Sequence, residues 1–143
     1  GRSANARIDM SSRPVIDHMA ELVESLGVEC ELIPIPGSKT TKCNLIATLG
    51  SGPGGLVLAG HTDTVPLDEG LWSVDPFKVT QRDGKLFGLG VTDMKGFFPI
   101  IMEAVKPLLD KSFKEPLIVL ATADEETSMQ GARSIADLSR IHI

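Results

Sequence analysis

The run Leu56-Val57-Leu58-Ala59-Gly60-His61-Thr62-Asp63-Thr64-Val65-Pro66 decides how this chain is read. Five apolar or small residues without a charge end in a histidine and, two residues on, a carboxylate. A short apolar run bounded by turn residues predicts a strand buried on both faces, as in a parallel sheet covered by helices. In open α/β sheets the carboxyl ends of such strands are where ligands bind and chemistry occurs. The run therefore predicts the mouth of a site, with His61 and Asp63 at its edge.

The flanking segments extend this layout. Gly50-Ser51-Gly52-Pro53-Gly54-Gly55 reads as the turn into the run. It is no phosphate loop, because no Gly-Lys-Ser/Thr follows and a strand comes next instead of a helix. Upstream, Val15, Ile16, Met19, Leu22, Val23 and Leu26 recur at helical spacing. Ser11 or Ser12 offers a cap, Pro14 suits the first turn and Gly27 supplies the stop. His18 lies within this helix and reads as a surface or packing residue. Residues 28–35 alternate like a strand that Pro34 and Pro36 confine to an edge, and residues 43–49 read as a second strand. Downstream, Arg82-Asp83-Gly84 between two extended runs predicts a hairpin.

Two further segments end in acid. Gly88-Leu89-Gly90-Val91-Thr92-Asp93 has an aspartate where a dinucleotide motif needs its third glycine, so that motif is rejected. Asp93-Met94-Lys95-Gly96 instead opens an apolar helix expected over about 97–109, with the Asp93 carboxylate at the positive end of the helix dipole. Residues 116–123 then repeat the opening layout, a buried strand followed at once by Asp124-Glu125-Glu126, and a helix is expected over about 128–138. Strands alternating with helices predict a layered α/β/α fold with a mixed, largely parallel sheet.

Length and composition narrow the function. At 143 residues the chain suits one domain with a real core. A net charge of −5 with scattered lysines and arginines argues against a nucleic-acid partner. No run approaches the roughly 20 apolar residues of a membrane span, and no signal peptide is visible. Cys30 and Cys43 fit no zinc-ribbon or redox spacing and read as buried, reduced thiols, which suits a cytoplasmic protein. His142 lies outside the pattern. Gly1 in place of a methionine, and Ile143 just after a helix-like segment, make both ends read as cut.

The unusual polar groups fall at even intervals, at positions 61, 93 and 125. An imidazole with several carboxylates is the ligand set of zinc and similar divalent ions in hydrolytic sites. Carboxylates brought together repel one another unless cations neutralise them. Two metals sharing one carboxylate would resolve that repulsion and activate a water, and of two adjacent glutamates one can bind metal while the other stays free as a base. Each signal alone has a bland explanation, since an aspartate before a helix is usually a cap and paired glutamates are usually a solvated first turn. Their conjunction, two of them at the ends of apolar strands, is what points to a metal site.

At these residues the chain resembles the zinc-dependent aminoacylase and carboxypeptidase family. The resemblance rests on Gly60-His-Thr-Asp-Thr-Val-Pro66, on Trp72 with Asp75-Pro76-Phe77, on Asp83-Gly-Lys-Leu-Phe-Gly88, on Asp93-Met-Lys-Gly96 and on Thr122-Ala-Asp-Glu-Glu-Thr127. It covers nearly the whole chain from residue 10, and the phrases around 61–72 and 120–127 look most like the branch that deacetylates N-acetyl-L-ornithine in arginine biosynthesis. Related desuccinylases and dipeptidases are the alternative, and a non-catalytic binding module is a further one. The resemblance implies two divalent ions, zinc with cobalt as the alternative, with His61, Asp93 and Glu126 as metal ligands and Asp93 shared between the ions. It implies that Asp63 orients His61, that the Asp93–Met94 peptide is cis, and that Glu125 moves the proton from the attacking water to the leaving amine. It also implies that residues 1–143 form the N-terminal part of a catalytic domain. A further carboxylate, a late histidine and the lid domain that carries the homodimer contacts would lie elsewhere. A fragment lacking them is expected to bind metal weakly and to be inactive.

Overall fold

The computed structural model describes residues 11–37, 41–68 and 70–141. Helix α1 (Arg13–Ser25) carries Pro14 in its first turn and buries Ile16, Met19, Ala20 and Val23. Gly27, at φ +75°, ends it by donating its N–H to the Glu24 carbonyl at 2.9 Å. Ser12 occupies the cap position, but its side chain makes no cap bond. It is used instead to tie the helix to the sheet, its Oγ accepting the Cys43 N–H at 3.0 Å.

Strands β1 (Cys30–Pro34), β2 (Cys43–Leu49) and β3 (Leu56–His61) come next, followed by the short hairpin β4 (Thr80–Arg82) and β5 (Lys85–Phe87). Asp83 and Gly84 both have positive φ at its turn, as the Asp-Gly signal requires. Helix α2 (Phe97–Val105) tightens into a 3-10 turn over Lys106–Leu108, earlier than the predicted end near 109. Strand β6 (Leu117–Thr122) and helix α3 (Gln130–Ile141) complete the described chain.

The main sheet has the order β1-β2-β6-β3. Its mixed character agrees with expectation, although here two pairings, β1/β2 and β2/β6, are antiparallel and only β3/β6 is parallel. Leu45, Ala47, Leu49, Leu117, Val119 and Ala121 form one face and pack with the buried residues of α1 and α2 into a single core. Adjacent residues in a strand point to opposite faces. Asn44 accordingly turns away from this core, and its Nδ2 donates to the Gly131 carbonyl at 2.9 Å and to Ser134 Oγ at 3.0 Å on α3. The sheet thus lies between α1 and α2 on one side and the start of α3 on the other.

Two expectations need correction. β3 is not buried on both faces: Leu56 is 59% and Val57 50% exposed. The strand ends the sheet order, so among the described residues only β6 pairs with it. An apolar run reports what a strand is able to bury, not whether a neighbour is present to cover it. Of the two cysteines, both free, Cys43 is buried but Cys30 only partly so.

The parallel register is set at the foot of β3. Leu56 N–H donates to the Pro116 carbonyl at 3.0 Å, and a Cβ on Gly55 would lie 2.0 Å from that same oxygen. Only glycine lets the two chains approach so closely.

Asn44 is fully buried and also accepts the Ala123 N–H through Oδ1 at 3.1 Å. Asn44→Ala strands these partners and is expected to destabilise the fold by about 2–4 kcal/mol. Urea unfolding of the purified chain checks this, and a change under 0.5 kcal/mol would contradict it.

Candidate metal centre

Parallel pairing sets His61 of β3 opposite Thr122 of β6. The ends are stitched by three bonds: Thr62 N–H and Thr62 Oγ1 both donate to the Thr122 carbonyl, at 2.8 and 3.1 Å, and Thr122 Oγ1 donates to the Gly60 carbonyl at 3.2 Å. The loops after β3 and β6 therefore leave the sheet side by side. β3 ends on His61 and its loop carries Asp63, while the loop after β6 carries Asp124, Glu125 and Glu126.

His61 is only 6% exposed. Its Nδ1–H donates to the Asp63 backbone carbonyl at 3.1 Å. A carbonyl oxygen only accepts, so this bond puts the imidazole proton on Nδ1 and leaves the Nε2 lone pair free to ligate. Nε2 faces Asp93 Oδ1 at 3.1 Å and stands 3.9 Å from Glu125 Oε2. Ligand atoms of His61, Asp93 and Glu126 all lie within 4.8 Å of one another.

The Asp63 carboxylate has a role that the sequence reading missed. Its Oδ1 stands 3.6 Å from His61 Nδ1, and its bonds go to the neighbouring loop. Oδ1 accepts the Glu125 N–H at 3.2 Å and Oδ2 the Glu126 N–H at 2.9 Å. Backbone holds the imidazole, while the side chain holds the glutamate pair. No local signal announces this, since the donors lie more than sixty residues away in sequence.

Asp93 does not sit where the helix-dipole argument put it. The N-cap of α2 is Gly96, no side chain caps the helix, and the Asp93 side chain is 71% exposed. Gly96 N–H bonds back to the Gly90 carbonyl at 3.0 Å, and a Cβ on Gly96 would meet the Val91 oxygen at 2.2 Å. This tight loop, which contains the cis Asp93–Met94 peptide, carries Asp93 off the helix axis and turns Oδ1 toward His61.

The electrostatics follow from the crowding. Burial pushes the Glu126 carboxyl above its usual range, and repulsion from Asp93, Glu125 and Asp63 adds to this, partly offset by His61. Burial draws the Lys95 ammonium below its usual range against the pull of Asp63. Asp124 shows the opposite balance to Glu126. Burial pushes it up, but bonds from Lys42, Ser128 and Thr127 outweigh that and hold it below the usual carboxylate range. The Lys42–Asp124 pair, 2.5 Å apart with side chains 7% and 5% exposed, was also invisible in the sequence, where Lys42 read as one of several scattered lysines.

One nitrogen and two carboxylates, closely grouped and short of positive charge, suit a divalent cation of the zinc type. Two ligands of a tetrahedral zinc, at bonds of about 2.0–2.1 Å, stand about 3.3 Å apart, close to the observed separation of Nε2 and Asp93 Oδ1. The donor set fits.

An α/β sheet with a histidine and carboxylates gathered at the ends of two parallel strands is the arrangement of a metallopeptidase-like fold. The chain belongs to peptidase family M20/M25/M40, whose profile matches residues 57–143. It is 52% identical over 139 residues to the acetylornithine deacetylase of Pasteurella multocida (strain Pm70), an alignment covering 97% of this chain and 36% of that one. It is 54% identical over 129 residues to the acetylornithine deacetylase of Photorhabdus laumondii, covering 90% and 33%. The chain thus spans about a third of the length of the curated relatives it matches. Among solved structures, human carnosine dipeptidase 1 superposes with a TM-score of 0.59 at 27% identity, covering 76% of this chain and 25% of that one. The Saccharomyces cerevisiae di-peptidase Dug1p reaches 0.67 at 20% identity over 94% and 30%, a likeness of fold alone.

A Glu126 carboxyl raised in the folded state and ordinary in the unfolded one favours folding below its unfolded pKa of about 4.3, and that contribution disappears as pH rises through the higher folded value. Glu126→Gln is therefore expected to make the metal-free chain more stable than wild type at pH 7, with the difference vanishing near pH 4. Urea midpoints at the two pH values check this, and a less stable variant at pH 7 would contradict it.

Proposed function

We propose that this chain contributes the metal-binding end of a deacylase active site, and that the gene product carrying it hydrolyses N-acetyl-L-ornithine to L-ornithine and acetate in arginine biosynthesis. The observation that carries the proposal is the convergence of His61, Asp93 and Glu126 with Glu125 at their margin. Identity above 50% to acetylornithine deacetylases narrows the substrate.

On this reading His61 and Asp93 hold one divalent ion, and Asp93 and Glu126 a second. Zinc suits the nitrogen and oxygen donors, with cobalt as a substitute. When bound, such ions polarise the amide carbonyl and lower the pKa of water. Glu125 is the base. Its side chain is 41% exposed, open to a substrate, and its backbone is fixed by the Asp63 carboxylate. It takes the proton from the attacking water and delivers it to the leaving amine nitrogen, so the amide and one water become acetate and free ornithine. Asp63 keeps the base and the neighbouring ligand in register with His61. The remaining ligands, the lid domain and the contacts of a homodimer belong, on this reading, to segments outside these 143 residues. The partner is a small N-acylated amino acid and the compartment the cytoplasm. Among the described residues no helix is long and apolar enough to cross a membrane.

Assay of the gene product against N-acetyl-L-ornithine and N-succinyl-diaminopimelate tests the substrate, with the acetylated compound expected to give the higher kcat/KM. Glu125→Gln is expected to lower kcat by about 10²–10⁴-fold with little change in KM. A variant with wild-type kcat would remove Glu125 from the mechanism. The 143-residue chain alone is expected to bind zinc weakly and to show no turnover, so a steady deacetylase rate from it would contradict the division of ligands proposed above.

A further inference from the structure

We infer that Lys42, acting through Asp124, is a positioning residue for the Glu125–Glu126 pair; the inference rests on the metal-site reading above. The loop that presents the pair begins and ends in the left-handed region, with Asp124 at φ +68° and Met129 at φ +57°. Met129 N–H closes it by donating to the Asp124 carbonyl at 2.7 Å. Within it, Thr127 Oγ1 and Ser128 Oγ both donate to the Asp124 carboxylate. The loop is thus folded around one buried anion, and among the described residues the Lys42 ammonium holds this anion from outside the loop, at 2.5 Å.

The sheet explains why Lys42 arrives there. β2 and β6 are antiparallel with Leu45 opposite Ala121, and the same register carried past the strand ends brings Lys42 opposite Asp124. Asn44, between them, accepts the Ala123 N–H. On the far side of β6, Asp63 at the end of β3 accepts the amides of Glu125 and Glu126. β6 lies between β2 and β3, so its outgoing loop is gripped from both neighbours. Asp63 grips the backbone of the glutamates, and Lys42 grips the knot from which they emerge.

Stability gives no reason to keep a charge pair at this place. The cost of desolvating two buried charges works against their attraction, and replacing both partners together by groups of similar volume often leaves a fold as stable or more so. What a neutral pair lacks is a strong directional anchor. Ligating side chains depend on such outer partners, whose loss typically weakens metal binding by about 10–100-fold.

The test uses the gene product carrying this chain, with cobalt(II) as the probe. Lys42→Met/Asp124→Asn removes both charges and keeps volume. Asparagine tolerates positive φ, and its Oδ1 accepts from one of the two hydroxyls while its Nδ2–H donates to the other, whose oxygen accepts. The double variant is expected to keep a wild-type melting temperature in the metal-free state. It is expected to bind cobalt about 10–100-fold more weakly, with altered visible absorption bands, and to lose kcat with KM unchanged. Lys42→Arg, which keeps the charge, is expected to restore affinity and spectrum close to wild type. Wild-type cobalt affinity and spectrum in the double variant would overturn the positioning role alone. Absence of cobalt binding by the wild-type protein would overturn the metal-site reading and this inference with it.

Discussion

Two backbone amides, those of Glu125 and Glu126, share the carboxylate of Asp63, and the rest of the site depends on that bond pair. It joins the loop after β3 to the loop after β6. His61 ends β3 just before the first loop and the glutamates lie on the second, so the distance between the imidazole and the glutamate backbone is set by these side-chain-to-backbone bonds. Charge-assisted bonds of this kind are directional and stronger than neutral ones. The parallel β3–β6 pairing makes them possible by ending both strands at the same level, with His61 beside Thr122.

The same geometry carries an electrostatic penalty. Asp63, Asp93, Glu125 and Glu126 crowd one another, and their repulsion adds to burial in raising the Glu126 carboxyl. A fold selected only for stability would disperse these acids. Holding them together makes sense where a cation binds, since a ligand that binds only the folded state stabilises it by mass action. A cation bound by the cluster would be coupled to folding in this way through the cluster's charge.

Much of this was legible in the sequence because strand ends announce themselves. Apolar runs that stop at His61 and at Asp124 marked the sheet, its carboxyl edge and the groups there, and the Asp-Gly hairpin signal was equally local. What escaped was non-local. The exposure of Leu56 and Val57 depends on whether a strand lies beyond β3, which the run itself does not encode. Asp93 reads as a helix cap because it precedes an apolar helix. Its place beside His61 was expected, but the means was not: the fold-back of Gly96 onto Val91, a steric fact about a missing Cβ, makes Gly96 the cap and turns Asp93 toward His61. Asp63 and Lys42 act on residues far along the chain, through strand register that no short window contains.

The central claim is that His61, Asp93 and Glu126 bind one class of ligand together. Anomalous diffraction at the zinc edge, from crystals of the protein grown with zinc, tests it most directly. The account predicts an anomalous peak within bonding distance of His61 Nε2 and a carboxylate oxygen of Asp93, a second one beside Asp93 and Glu126, and loss of the first in His61→Ala. Zinc found only at other residues, or an undiminished peak in that variant, would contradict it.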